Sequence, residues 1–171
     1  WPISGHQFWI NCKLHKGVVF SRYEKNAKNL SLHFRLGDKG KVDLGFYGND
    51  LATKDGVVTS GAWHNLTFVM DVSKKTRKTY VNGEEKASDK PATLYAAKTG
   101  DTIIGGWNRV DKGVKKAYQK YIGKVDEVRV WSRVLSQDEI TASIGKASLG
   151  TSTPVDSAGK ITAIWGMLKS D

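Results

Sequence analysis

Between Trp107 and Tyr121 the chain sets Arg109, Lys112, Lys115, Lys116 and Lys120 against a single acid, Asp111, a local balance of 5 − 1 = +4. Trp107, Tyr118 and Tyr121 interleave with those charges. Aromatic faces stack on the C–H surfaces of sugar rings. Lys and Arg pair with carboxylate or sulfate, and Arg can do so through two parallel hydrogen bonds. This spacing nominates Trp107, Arg109, Lys116, Tyr118 and Tyr121 as contacts to a glycan or polysaccharide, with a tilt toward an anionic one. The competing reading is a solvated insertion whose aromatics only cover the core. Basic residues among aromatics also suit single-stranded nucleic acid. No nucleic-acid-binding motif accompanies them, so no such partner is expected.

Other chemistries find little support. Glu24, Glu84, Glu85, Glu127 and Glu139 are the five glutamates, and none stands in the Glu-x-Asp-x-x-Glu spacing of a strand-borne pair of glycosidase carboxylates. Glu84 and Glu85 are adjacent, as are Asp126 and Glu127, so strand alternation sends each pair to opposite faces unless a bulge intervenes. No Gly-x-Ser-x-Gly elbow occurs, and His6, His15, His33 and His64 lack metal-ligand spacing. Gly105-Gly106 is not a phosphate loop. Cys12 is the one cysteine, which excludes a disulfide framework and a multi-cysteine metal site. It alternates with Phe8, Ile10 and Leu14 on one face and reads as a buried, inert thiol.

A scaffold must hold the basic, aromatic stretch. The 171 residues suit one domain with a real core. Hydrophobic content of 39% and charged content of 26% exclude a disordered chain. No run approaches the roughly 20 apolar residues of a helical membrane span. The net charge of +10 fits an anionic partner or a solvated lysine coat.

Period-two alternation dominates. Leu30, Leu32, Phe34 and Leu36 share one face, Gly37-Asp-Lys-Gly40 turns the chain, and Val42, Leu44 and Phe46 alternate on the way back. Leu66, Phe68, Met70 and Val72 form another face. Thr79-Tyr-Val81 enters Asn82-Gly83, whose residues both tolerate positive φ and so favour a tight hairpin. Thr102-Ile-Ile-Gly-Gly-Trp107 adds a short strand. The best helix signal is Ser136-Gln-Asp-Glu139, a capping box with Leu135 and Ile140 at staple spacing. It predicts one short helix near 136–144. The pattern as a whole predicts an all-β, two-sheet antiparallel sandwich over residues 1–145. Residues 146–160 are small and polar and read as a linker, followed by an apolar segment, Ile161-Thr-Ala-Ile-Trp-Gly-Met-Leu168.

Three blocks occur in a recognisable order. They are Trp63-His64 with Leu66, Phe68 and Met70; Lys78-Thr-Tyr-Val-Asn-Gly-Glu84; and Thr102-Ile-Ile-Gly-Gly106 followed by Ile122-Gly-Lys-Val-Asp-Glu-Val-Arg-Val-Trp131 and Leu135-Ser-Gln-Asp-Glu-Ile140. Over residues 8–144 this order resembles the laminin-G-like, or concanavalin A-like lectin/glucanase, jelly-roll family of the pentraxin and laminin-G type. Members carry further strands before the equivalent of Phe8. Here they would lie outside the sequence, or another segment such as 161–168 would take their place.

The resemblance implies a non-catalytic, lectin-like module of an extracellular or cell-surface protein. It also implies a structural calcium in many members, with Asp126 at the position near the ion. Fold alone does not assign function. The alternatives are a protein-adhesion or structural module of a larger surface protein and, more distantly, a glycan-active enzyme. Asn29-Leu-Ser31 and Asn65-Leu-Thr67 are glycosylation sequons, relevant only to a eukaryotic secretory protein.

Overall fold

The computed structural model describes residues 4–25, 27–111 and 114–147. In chain order the strands are β1 (Gly5–Cys12), β2 (Gly17–Tyr23), β3 (Ser31–Gly37), β4 (Lys41–Gly45), β5 (Asp50–Ala52), β6 (Trp63–Asp71), β7 (Thr76–Val81), β8 (Glu84–Asp89), β9 (Asp101–Ile104), β10 (Trp107–Asp111), β11 (Val114–Tyr118) and β12 (Gly123–Trp131), followed by helix α1 (Gln137–Ala147). The first sheet runs β12-β1-β6-β7-β8 and the second β5-β4-β3-β2-β9, while β10 and β11 form a separate hairpin. The ladders between these strands are antiparallel. The expected all-β jelly-roll sandwich with one short helix is what forms.

The alternating residues meet between the sheets. Phe8, Ile10, Leu66 and Phe68 of the first sheet bury against Leu32, Phe34, Leu36, Val42 and Leu44 of the second, with Phe46 beyond β4. Phe34 and Phe68 stack with ring centroids 4.1 Å apart. Cys12 is fully buried, as its alternation predicts. Two residues of the predicted faces are exposed. Leu14 is exposed because β1 ends at Cys12, and Val72 is exposed because β6 ends at Asp71. The hairpin at Asn82-Gly83 forms with φ of 52° and 82°, as the dipeptide predicts.

Three devices fix the frame. At the β8 and β5 side, Arg77 is buried in the sandwich and its guanidinium lies 4.9 Å from the centre of the Phe46 ring. It donates to both carboxylate oxygens of Asp89 at 2.7 and 2.8 Å and to the backbone oxygen of Asn49 at 2.7 Å. This ties the edge of one sheet to the other. Outside the first sheet, Leu135 and Ile140 pack with Val69 and Tyr80 and seat α1. The capping box forms: the Glu139 amide donates to Ser136 Oγ at 3.2 Å, and the Ser136 amide donates to Glu139 Oε2 at 2.9 Å. Good capping and this apolar seat carry α1 to Ala147, past the expected end near residue 144.

The third device is a bulge in β12. Between the pairs Gln7↔Arg129 and Trp9↔Asp126 the register slips by one residue, and Glu127 takes φ 51°. Val130 pairs with the buried His6, so Val130 and Val128 keep the inward direction that their alternation predicts. They are nevertheless 49% and 37% exposed. Nothing among the described residues covers that part of them. The expected linker and apolar segment, from residue 148 onward, lie outside the described residues.

Candidate functional site

The basic, aromatic stretch folds as the β10–β11 hairpin, which stands on the outer face of the second sheet. Its base is pinned at several points. The Val18 amide donates to the Gln119 oxygen at 2.8 Å, the Tyr121 amide to the Gly105 oxygen at 3.0 Å, and Ser21 Oγ to the Gly106 oxygen at 2.8 Å. Gly17 holds φ 108° where any Cβ would collide with the Lys120 backbone, so only glycine lets the hairpin base approach β2.

Trp107 is the anchor. It is only 5% exposed and clusters with Val18 and Tyr23, with Tyr47 beside them. Its ring stacks on His33 at 5.1 Å and 18°, and Tyr23 and Tyr47 meet it edge-on at 6.2 and 6.3 Å. His33 lies flat over Gly45, where a Cβ would overlap the imidazole. Burial pushes the His33 pKa below its ordinary value, against the opposing charge of Asp50 3.8 Å away. Beside this cluster Arg35 binds Asp43 at 2.8 and 3.0 Å. Trp107 therefore fastens the hairpin, and its ring is taken up inside rather than offered to a ligand.

The ladder couples Trp107 with Tyr118 and Arg109 with Lys116, two alternate rungs of the hairpin. The side chains of Arg109, Lys116 and Tyr118 are outside the described set, so their placement rests on the strands alone. Tyr121 leaves this group. It packs against the main core, and its hydroxyl donates to the Lys124 oxygen at 3.2 Å. Burial, and secondarily the nearby Cys12, push its pKa up. Four of the five nominated residues thus share the hairpin, and the fifth closes the lower end of the sandwich.

Asp126 sits exposed on β12, where its Oδ1 accepts the Glu127 amide at 2.8 Å and braces the bulge. A hard cation needs six to eight oxygen ligands. Among the described residues no group of three or more His, Cys, Asp or Glu is arranged to hold a metal ion.

The catalytic alternatives gain no geometry. The bulge does intervene at Asp126-Glu127, but Arg129 takes up the Glu127 carboxylate. Among the described residues the displaced carboxyl pKa values, at Glu24, Asp71, Glu85 and Glu139, move down, opposite to what a general acid requires. His64 accepts the Thr59 amide at 3.1 Å and is a loop brace. The sequons are also occupied. Asn65 is 1% exposed, and the Asn29 amide donates to Thr93 Oγ1 at 2.6 Å.

Sequence reasoning missed the groups that build this site, namely His33, Tyr23 and Tyr47. Period two does place His33, with Ser31 and Arg35, on the face opposite Leu32 and Phe34, but not against an aromatic cluster. Its pairing with a tryptophan seventy-odd residues away leaves no local signal.

Comparison with known proteins matches this geometry. The family model described as the concanavalin A-like lectin/glucanases superfamily, of laminin-G type, matches residues 7–141. The chain belongs to that family. The CBM40 of the Ruminococcus gnavus IT-sialidase, solved with α2,3-sialyllactose bound, superposes with a TM-score of 0.68 at 18% identity, covering 84% of each chain. A SAP-like pentraxin from Limulus polyphemus gives 0.62 at 15% identity over 83% of this chain and 70% of that one. The NanB sialidase of Streptococcus pneumoniae gives 0.66 at 21% identity over 81% of this chain but 23% of its own. Identities this low establish the shared fold. None of the curated proteins compared matches the chain. No helix among the described residues is long and apolar enough to cross a membrane.

Proposed function

We propose that this member of the concanavalin A-like lectin/glucanase superfamily is a non-catalytic glycan-binding module that prefers acidic sugars and works outside the cell or at its surface. The observation that carries the reading is the anchored hairpin. Trp107 and the backbone bonds at its base fix a strongly cationic two-stranded ribbon to a rigid sheet, and rigid placement limits the ordering cost of binding. Arg109, Lys116 and Tyr118 are the proposed contacts, with Trp107 as their support. A module of the same fold holds sialyllactose, whose sialic acid carries a carboxylate, and this supports an anionic ligand.

A glycan array with sialylated, sulfated and neutral oligosaccharides tests the reading, followed by titration across salt. Binding to acidic glycans should weaken as ionic strength rises. Arg109→Glu with Lys116→Glu should cost about tenfold or more in affinity, the equivalent of about 1.4 kcal/mol. Failure to bind any acidic or neutral glycan would sink the proposal.

A second reading, protein adhesion, is favoured by one feature. Leu14, Trp63 and Ile122 are all exposed near the end of β1, where Lys13 bonds Ile122 and Asn11 pairs with Trp63. Replacing Trp63 and Leu14 with polar residues would abolish a protein contact and leave glycan binding intact.

A further inference from the structure

The two lateral sides of the sandwich differ. One is closed by the Arg77, Asp89 and Asn49 clasp between β8 and the loop before β5. On the other, β12 and β9 are the edge strands. They face each other, because His6 of the neighbouring β1 touches Phe20 of the neighbouring β2, ring to ring, at 5.0 Å. Val130 pairs with His6 and Ile104 pairs with Phe20, so both point into the gap between the sheets. Yet Val128, Val130 and Ile104 are 37%, 49% and 55% exposed. Lower down, Val125 and Tyr121 pack on the core and shut the gap. The result is an apolar cleft at one edge, flanked by a strand that has no further strand beside it among the described residues. Soluble folds cover or charge such edges, and uncovered inward valines signal a missing neighbour.

We propose that this cleft is the docking site for residues 161–168 of the same chain, added beside β12. The segment Ile161-Thr-Ala-Ile-Trp-Gly-Met-Leu168 carries no charge, while Lys160 and Lys169 bracket it. Its eight residues suit the nine-residue length of β12. Alternation gives it an apolar row, Ile161, Ala163, Trp165 and Met167, of the kind a half-buried strand needs. The connection can reach. Ser143 of α1 accepts a hydrogen bond from Gln7 on β1, next to β12. Residues 148–160 can span up to about 43 Å at ~3.3 Å per residue. Docking would pair the free edge of β12 and cover Val128, Val130 and Ile104.

Hydrogen–deuterium exchange on the full chain tests this. Amides of 161–168 should exchange at least about tenfold more slowly than those of 148–160. Val130→Lys should remove that protection while β3 and β4 stay protected, which shows that the sandwich still folds. Trp165→Asp, which leaves the sandwich residues untouched, should in turn release the outward amides of β12. Exchange of 161–168 as fast as the linker, or protection that survives Val130→Lys, overturns the proposal. Protection that appears only at high protein concentration, together with doubled mass, would assign the cleft to a second copy and also overturn it.

Discussion

His6 shows how a polar residue can serve as core. Its ring sits edge-on to Phe20 at 5.0 Å and to Phe34 at 4.7 Å, and it is 5% exposed. Burial pushes its pKa down to about 3. The folded protein therefore keeps His6 neutral where the unfolded chain, with an ordinary pKa near 6.5, takes up a proton. Below that value the unfolded state binds more protons, so stability falls as pH drops from 6.5 toward 3. The His6 share is about 1.4 kcal/mol per pH unit, or about 2 kcal/mol by pH 5. His33, also shifted down mainly by burial, adds in the same direction. Urea unfolding at pH 7 and pH 5 should show this slope, and His6→Leu should remove its His6 share; an unchanged slope would refute the assignment. The position was readable in principle, because His6 alternates with Phe8, Ile10 and Cys12. The habit of reading histidine as surface hid it. The same holds for Arg77, which alternates with the buried Thr79 and Val81.

Among elements, the strands follow their sequence closely because alternation and turn residues agree. Asn82-Gly83 and Gly40 sit at the positive φ their turns demand. The bulge at Glu127 was invisible because no glycine marks it; the conformation is held by the Asp126 carboxylate instead. The hairpin was legible as a cationic, aromatic stretch but not as a pair of strands, since its composition reads as loop. The Arg77 clasp is the element-scale test. Asp89→Ala would leave a buried guanidinium without its carboxylate, held by Asn49 and the Phe46 ring. Removing one partner of a buried pair costs about 3 kcal/mol or more. Chemical denaturation should show that loss, whereas a change below about 0.5 kcal/mol would mean the clasp is a surface pair in effect.

At the scale of the molecule, the family and the sandwich were readable because the ordered motifs are the strands of the core. The anchoring of the hairpin was not, because His33, Tyr47 and Trp107 come together only through the packing of β10 on the second sheet. Such non-local pairing also governs how the chain assembles. A sandwich of distant strand pairs should refold in milliseconds to seconds rather than microseconds. Stopped-flow dilution from urea, followed by tryptophan fluorescence, measures this, and a microsecond phase carrying the full amplitude would contradict it. The pairing of β1 with β12 is the extreme case, joining Gly5–Cys12 to Gly123–Trp131. During synthesis at roughly 5–20 residues per second, β1 emerges about 5–20 s before its partner exists. Through that interval Phe8, Trp9 and Ile10 stand on a strand with an open side, beside β6 at best. The nascent chain, more than the finished domain, is therefore the form that leaves this apolar strand open to wrong partners.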